Sequence, residues 1–171
     1  MSLLDRFLGG GRDRVHAEGI ALLEEGRYTE AVVCLREAVS GRGNTSGSLA
    51  SYHFRQALLA EGRRLLRAGS PDLARNLFTE AVGLWDRYPD LHCLAGTAAG
   101  LAGDWDAALA AARSALRLNP DYVEARLLEA AALQAGNRLR EAADALDALL
   151  ESGRRVQSWL VERLASPTKR S

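Results

Sequence analysis

Apolar residues recur along most of this chain at the three- and four-residue spacing of a single helix face, which predicts amphipathic helices. One arrangement returns four times: an alanine, then a second apolar residue four positions later, and a third apolar residue three positions after that. These triplets are Ala31, Leu35 and Ala38; Ala74, Phe78 and Ala81; Ala108, Ala112 and Ala115; and Ala142, Leu146 and Leu149. Few β-branched residues and prolines interrupt the pattern, so we expect no large sheet.

The triplets begin 43, 34 and 34 residues apart, and a second small residue precedes each leading alanine by twelve positions. These second small residues are Gly19, Gly62, Gly96 and Ala130. Antiparallel helices approach closely only where small side chains face each other, so each position is predicted to face its alanine across a helix hairpin. The glycines between them are predicted to supply the left-handed residue that ends each first helix: Gly26, Gly69, Gly103 and Gly136.

The segment Gly103–Pro120, with its turn glycine, Trp105 and closing proline, resembles the second half of a tetratricopeptide repeat (TPR). The spacing matches that family's period of about 34 residues. The resemblance covers about residues 12–152 and implies an all-α fold, a right-handed α-α superhelix of about four helix hairpins. The first helices of the hairpins would line an open concave groove. Departures are Pro71 in place of the turn aromatic and the missing proline after the first repeat.

The expected repeats span about residues 12–40, 51–88, 89–120 and 121–152. Between the first two, Gly41–Ser48 is rich in glycine and serine and predicts a loop. Residues 156–165 have helical apolar spacing and predict a C-terminal capping helix, followed by a tail at 166–171.

At the N-terminus, residues 1–11 predict an apolar helix followed by a hinge at Gly9–Gly11. The apolar residues of this helix are Leu3, Leu4, Phe7 and Leu8. Three roles are open to it: packing on the first repeat, filling a groove in the same or a neighbouring molecule, and contacting a membrane.

Composition narrows the function classes. The 22 basic and 22 acidic residues cancel, so no global field favours nucleic acid or anionic lipid as a partner. Lys169 is the sole lysine, and the high content of arginine, alanine and glycine is typical of a GC-rich bacterial genome.

We find no secretory signal and no apolar run of about 20 residues, so stable membrane insertion is not expected. Cys34 and Cys93 are far apart and predict unpaired thiols in a reducing compartment, which indicates a cytoplasmic location.

The sequence contains no recognisable motif for catalysis or for binding a metal ion or phosphate. His92 and Cys93 are adjacent and diverge by about 100° on a helix, while His16, His53 and Cys34 have no known ligand spacing. Gly9–Gly11 lacks the lysine and hydroxyl residue of a phosphate loop. We therefore predict no metal, no cofactor and no enzymatic activity.

The helix register predicts which residues line the groove: His16, Ile20, Leu23, Gln56, Leu59, Arg63, Arg67, Cys93, Thr97, Leu127 and Gln134. Arg63 and Arg67 are one turn apart and suit a carboxylate ligand beside an apolar strip. The alternative is a solvated charged face on which Arg67 pairs with Asp72 or Glu61.

These features predict an adaptor or scaffold that binds a peptide or helix of another protein. The rival hypothesis is a self-assembling homo-oligomer that uses its N-terminal helix or C-terminal cap, and a homodimer fits either. An enzyme would need a deep polar pocket, which an open groove seldom offers. Chaperone-binding members of the family carry a carboxylate clamp of Lys and Asn, which this chain does not have at the corresponding places: His16, Ile20, Leu59, Arg63 and Cys93.

Overall fold

The computed structural model describes residues 3–40 and 48–151, which form eight α-helices and contain no β-strand. The helices are α1 (Leu3–Glu24), α2 (Tyr28–Val39), α3 (Leu49–Arg67), α4 (Pro71–Leu84), α5 (Pro89–Leu101), α6 (Trp105–Leu118), α7 (Val123–Ala135) and α8 (Leu139–Glu151). Their order and bounds confirm the predicted all-α fold class. The predicted loop up to residue 47, the cap at 156–165 and the tail lie outside the described residues.

The chain forms two compact units, Met1–Ala68 and Gly69–Ser171. In unit 1, α1 and α2 form a helix hairpin, and α3 packs against α2 and also contacts α1. Gly19 of α1 is buried, and a Cβ atom there would lie 2.5 Å from Leu35 Cγ of α2. A small residue is therefore needed here, as the sequence predicts, but the side chain that it faces is Leu35 and not the predicted Ala31.

Helix α1 continues through Gly9–Gly11, where the sequence predicts a hinge. That prediction is wrong because glycine lowers helix propensity by about 1 kcal/mol per residue without removing the backbone hydrogen bond. At the start of α3, the Ser48 side chain accepts a hydrogen bond from the Ser51 amide at 3.2 Å. This N-cap fixes where the second repeat begins.

In unit 2, α4 to α8 pack in sequential order, and α5 also contacts α7. Pro71 and Pro89 occupy the first turns of α4 and α5, where a missing amide hydrogen costs nothing. Asp104 caps α6 by accepting from the Ala107 amide at 3.0 Å and pairs with Arg75 of α4 at 2.9 Å. The cap marks the start of α6, and the partly exposed ion pair links this start to α4.

The repeating triplets form the core of the helices that carry them. All of their members are buried except Leu146, which is 42% exposed. In unit 2, a Cβ atom on Gly96 would lie 2.8 Å from Ala111 Cβ and 3.2 Å from the Ala108 carbonyl oxygen. The predicted meeting of a small residue of α5 with alanines of α6 is confirmed.

The left-handed turn residues are as predicted in three of four cases: Gly26, Gly69 and Gly103 have φ of +75°, +76° and +90°. In the fourth turn, Gly136 has φ −79°, and Asn137 takes the left-handed place with φ +59°. The prediction for Gly136 is wrong because the backbone keeps the 34-residue interval from Gly103 to Asn137, and asparagine tolerates this conformation.

Candidate peptide-binding surface

Unit 1 contains seven of the predicted groove residues, on α1 and α3: His16, Ile20, Leu23, Gln56, Leu59, Arg63 and Arg67. Arg63 and Arg67 are exposed, whereas Leu59 is 5% exposed. The remaining four are half-buried. Leu59 therefore serves packing, and the other six leave surface that a ligand can reach.

Three arginines near the end of α3 differ in what they bind. Arg64 donates from Nε and Nη2 to the two carboxylate oxygens of Glu61, each at 2.7 Å. Arg63 and Arg67, one turn apart, have no ion pair within the described part of the chain. The alternative in which Arg67 pairs with Glu61 does not hold, because Arg64 already occupies that carboxylate.

Glu61 lies almost entirely inside unit 1, at 4% exposure. Its carboxylate also accepts a hydrogen bond from Thr29 Oγ1 of α2 at 2.8 Å. The hydrogen bonds from Arg64 hold the pKa of Glu61 below its usual range, against the opposing effect of burial, and Thr29 lowers it further. Glu61 is therefore an ionised group that joins α2 to α3, and it fixes the position of Arg64.

The two histidines of unit 1 form a pair that the sequence does not reveal. His16 Nε2 of α1 and His53 Nδ1 of α3 are 2.9 Å apart, and the ring centroids are 5.1 Å apart with the planes tilted by 40°. Burial, together with the charge of His16, lowers the pKa of His53. Among the described residues, no group of three or more His, Cys, Asp or Glu side chains is placed to hold a metal ion.

Unit 2 contains the other four predicted groove residues. Cys93 and Thr97 of α5 are 4% and 2% exposed, and the Thr97 hydroxyl donates to the Cys93 carbonyl at 2.8 Å. Cys93 belongs to one buried cluster with residues of α6 and α7: Ala108, Ala112, Ala115, Ala125, Leu128 and Ala132. Both side chains pack inside the unit because α5 contacts α4, α6 and α7 together. Leu127 is half-buried and Gln134 is exposed on α7.

The buried thiol of Cys93 has low chemical reactivity. Burial, with a smaller effect from the carboxylate of Glu124, raises its pKa to about 12. The thiol of Cys34 is half-buried and donates to the Val15 carbonyl of α1 at 3.1 Å. Burial also raises the pKa of Cys34. Neither cysteine has the lowered pKa of a nucleophile.

Three features place this fold in the class of helical repeat proteins that are built from nested hairpins. They are the helix hairpins, the repeat interval and the close contacts at small residues. Tetratricopeptide repeat models match residues 16–90 and 101–159, and the chain belongs to the tetratricopeptide repeat family. No helix within the described ranges has the length and apolar character that a membrane span needs.

Solved structures support the fold. A MamA crystal structure shares 18% identity with this chain, covers 82% of it and 77% of the other chain, and superposes with a TM-score of 0.61. MamA residues 41 to the end from Desulfovibrio magneticus RS-1 share 20% identity over 82% and 74% of the two chains, with a TM-score of 0.58. YrrB, described as a TPR protein with an unusual peptide-binding site, shares 18% identity over 80% and 66%, with a TM-score of 0.59. At these identities the likeness concerns the fold alone.

Proposed function

We propose that this chain is a non-catalytic adaptor whose α1 and α3 bind an acidic peptide or helix of another protein. The observation that carries the proposal is the difference between neighbouring arginines on α3. Arg64 is neutralised by Glu61, whereas Arg63 and Arg67 are exposed and have no ion pair among the described residues. Two adjacent cations without an internal partner suit an external anion.

The chemistry of the two guanidinium groups selects the ligand. Residues four apart on a helix lie about 5–6 Å apart at Cβ, so Arg63 and Arg67 can each donate two hydrogen bonds to neighbouring carboxylates. Helix α1, which contacts α3, adds the half-buried Ile20 and Leu23. An acidic segment with apolar residues on one side would match both features.

In unit 2, Leu127 and Gln134 of α7 are proposed as a separate contact surface for a protein partner. A protein partner fits better than nucleic acid, because the chain has a net charge of zero and its basic residues do not outnumber its acidic ones. The free thiols of Cys34 and Cys93 support a cytoplasmic location within this proposal. The family membership and the description of YrrB as having a peptide-binding site also support it.

The test is a binding titration of the full chain against a fluorescein-labelled peptide of alternating Glu and Leu, followed by fluorescence anisotropy. Substituting both Arg63→Ala and Arg67→Ala is expected to weaken binding about five- to thirtyfold, because two partly exposed ion pairs are lost. Added salt should weaken binding to the wild-type chain, since the interaction is electrostatic. Circular dichroism should remain unchanged.

A matched control removes the same charge elsewhere. Arg87 and Arg140 are exposed in unit 2, and the double variant Arg87→Ala, Arg140→Ala has the same net charge as the test variant. It should bind the acidic peptide like the wild-type chain. Equal losses in the two double variants, or no loss in either, would remove Arg63 and Arg67 from the site.

The second candidate function, self-assembly, is favoured by the outer surface of α8. Leu139 and Leu150 are 60% and 76% exposed there, together with Leu146. Light scattering over a range of concentrations tests it. A mass that rises with concentration, and that falls in a Leu146→Glu, Leu150→Glu variant, would support assembly through this helix. A constant monomer mass would contradict it.

A further inference from the structure

The facing nitrogens of His16 and His53 are so close that only one of them can carry a proton while the two rings stay hydrogen-bonded. At 2.9 Å, one imidazole donates and the other accepts when both rings are neutral. Uptake of one proton leaves an imidazolium that still donates to its neutral partner. A second proton would place two N–H groups face to face, so the contact would break. The pair therefore acts as one coupled acceptor of a single positive charge.

The groups around the pair come from all three helices of unit 1. On α3, the Tyr52 ring meets the His53 ring edge-on with the centroids 5.4 Å apart, and the Arg55 guanidinium lies 5.7 Å from the Tyr52 ring centre. From α2, the Cys34 thiol donates to the Val15 carbonyl, one residue from His16. Along the chain, Asp13 on α1 precedes His16 by three residues and Arg55 on α3 follows His53 by two. On α2, the Arg36 guanidinium lies 5.7 Å from the centre of the Phe54 ring, and Phe54 follows His53 directly.

Burial affects the protonation of His53 in the folded chain. Burial and the neighbouring His16 lower the pKa of His53 from its ordinary value, so the ring is mostly neutral at pH 7 and gains charge as the pH falls. Because the folded pKa is below the unfolded one, this group stabilises unit 1 above its unfolded pKa, and that stabilisation is lost as pH falls through the folded value.

His53 also shares a helix face with the paired arginines. Five residues of α3 fall within an arc of about 80° at 100° per residue, and we call them the α3 stripe. They are His53, Gln56, Ala60, Arg63 and Arg67. The first three are half-buried and the two arginines are exposed. At 1.5 Å per residue, the pair lies about 15 Å from Arg63 along the stripe.

We propose that the His16–His53 pair is the proton-responsive end of the acidic-peptide site, and that it gains one positive charge as the peptide binds. This inference rests on the proposed function. An acidic segment lying along the α3 stripe would place carboxylates near the pair as well as near Arg63 and Arg67. By linkage, an anion that favours the charged pair is bound more tightly at lower pH and takes up a proton on binding.

The test repeats the anisotropy titration of the Glu–Leu peptide at about pH 5.5 and about pH 7.5, a range in which peptide carboxylates stay ionised. The wild-type chain should bind about two- to tenfold more tightly at the lower pH. The double variant His16→Gln, His53→Gln should lose this difference. His92→Gln is the matched control, because His92 is the chain's third histidine and donates to the Asp86 carbonyl of unit 2 instead.

Calorimetry on the unaltered chain gives a second readout that does not depend on the variants folding. Binding heats measured near pH 6 in two buffers of different ionisation enthalpy should differ in proportion to the proton taken up. Equal heats in both buffers would overturn the inference. So would a pH difference that survives in the double histidine variant, or pH-independent binding by the wild-type chain. These results leave the proposed function standing, whereas no binding at either pH would remove both.

Discussion

The carboxylate of Glu61 on α3 accepts a hydrogen bond from the hydroxyl of Thr29 on α2, with 2.8 Å between the two oxygens. Glu61 is among the few charged or polar residues buried in the described part of the chain. Arg64 reaches in from the surface and satisfies the same carboxylate with two hydrogen bonds. The contact between α2 and α3 thus depends on an ionised group, and its strength depends on pH.

Substituting Glu61→Gln should lower the free energy of unfolding by about 1–2 kcal/mol at neutral pH, because the amide cannot satisfy Arg64 in the same way. Arg64 lowers the pKa of Glu61, so the stabilisation is present above the unfolded pKa and is lost as pH falls through the folded value. The difference between wild type and variant, measured by urea denaturation, should therefore shrink in acid. Glu24→Gln on the exposed face of α1 is the control and should show no such trend.

Gly96 tests the predicted register of α5 against α6. A side chain there would meet Ala111 Cβ at 2.8 Å, Leu128 Cδ2 at 2.7 Å and the Ala108 backbone oxygen. Gly96→Leu should cost about 1–3 kcal/mol, or more if the helices separate. The control is Gly83→Leu in α4, where nothing lies within 4 Å, and it should be neutral or slightly stabilising in the same thermal denaturation assay. Equal stabilities would show that the helices do not approach closely at Gly96.

Asn137 tests where the fourth turn has its left-handed residue. Asn137→Gly should be tolerated, whereas Asn137→Val should lose about 1–2 kcal/mol, because β-branched residues are strained at φ +59°. Asn76→Val, exposed on α4, is the control and should change stability little. If thermal melts showed that Gly136→Ala is costly and Asn137→Val is harmless, the left-handed residue would be Gly136, one position before the residue that the structure assigns.

Cys93 provides a chemical test of burial in unit 2. Its pKa of about 12 and its place in the core predict that it reacts with a disulfide reagent only after denaturation. Cys34, which is half-buried, should react slowly in the native chain. Mass spectrometry of the labelled peptides separates the two sites. If Cys93 were labelled rapidly in the native chain, its burial would be contradicted, and it would lie on the exposed groove surface that the sequence predicts.

The sequence predicts those features of the fold that depend on the repeat interval. Helix order, the close contacts at Gly19 and Gly96, and the burial of the alanine triplets all follow from small residues returning at a set interval. Gly136 shows the limit of choosing residues by type, since the interval alone would have selected Asn137. The run of glycines at Gly9–Gly11 fails as a hinge signal because glycine weakens a helix only modestly and leaves its backbone hydrogen bonds in place.

The candidate site is less predictable, because side-chain partners depend on contacts between helices. Arg63, Arg64 and Arg67 look alike in sequence, and only the position of Glu61 decides which of them is neutralised. His16 and His53 meet across the first two repeats, where the interval is 43 residues and the repeat pattern gives no guide. Burial of Cys93 and Thr97 follows from the three neighbours of α5, which helix periodicity alone does not reveal.

The most direct measurement is an amide chemical-shift map of the isotope-labelled full chain titrated with the Glu–Leu peptide. We expect the largest shifts at Ile20 of α1 and at Gln56, Arg63 and Arg67 of α3, and the Arg63→Ala, Arg67→Ala variant should need about five- to thirtyfold more peptide to reach half of the maximal shift. Shifts confined to α2 around the exposed Val33, or to α8, would place the binding surface elsewhere and contradict the account.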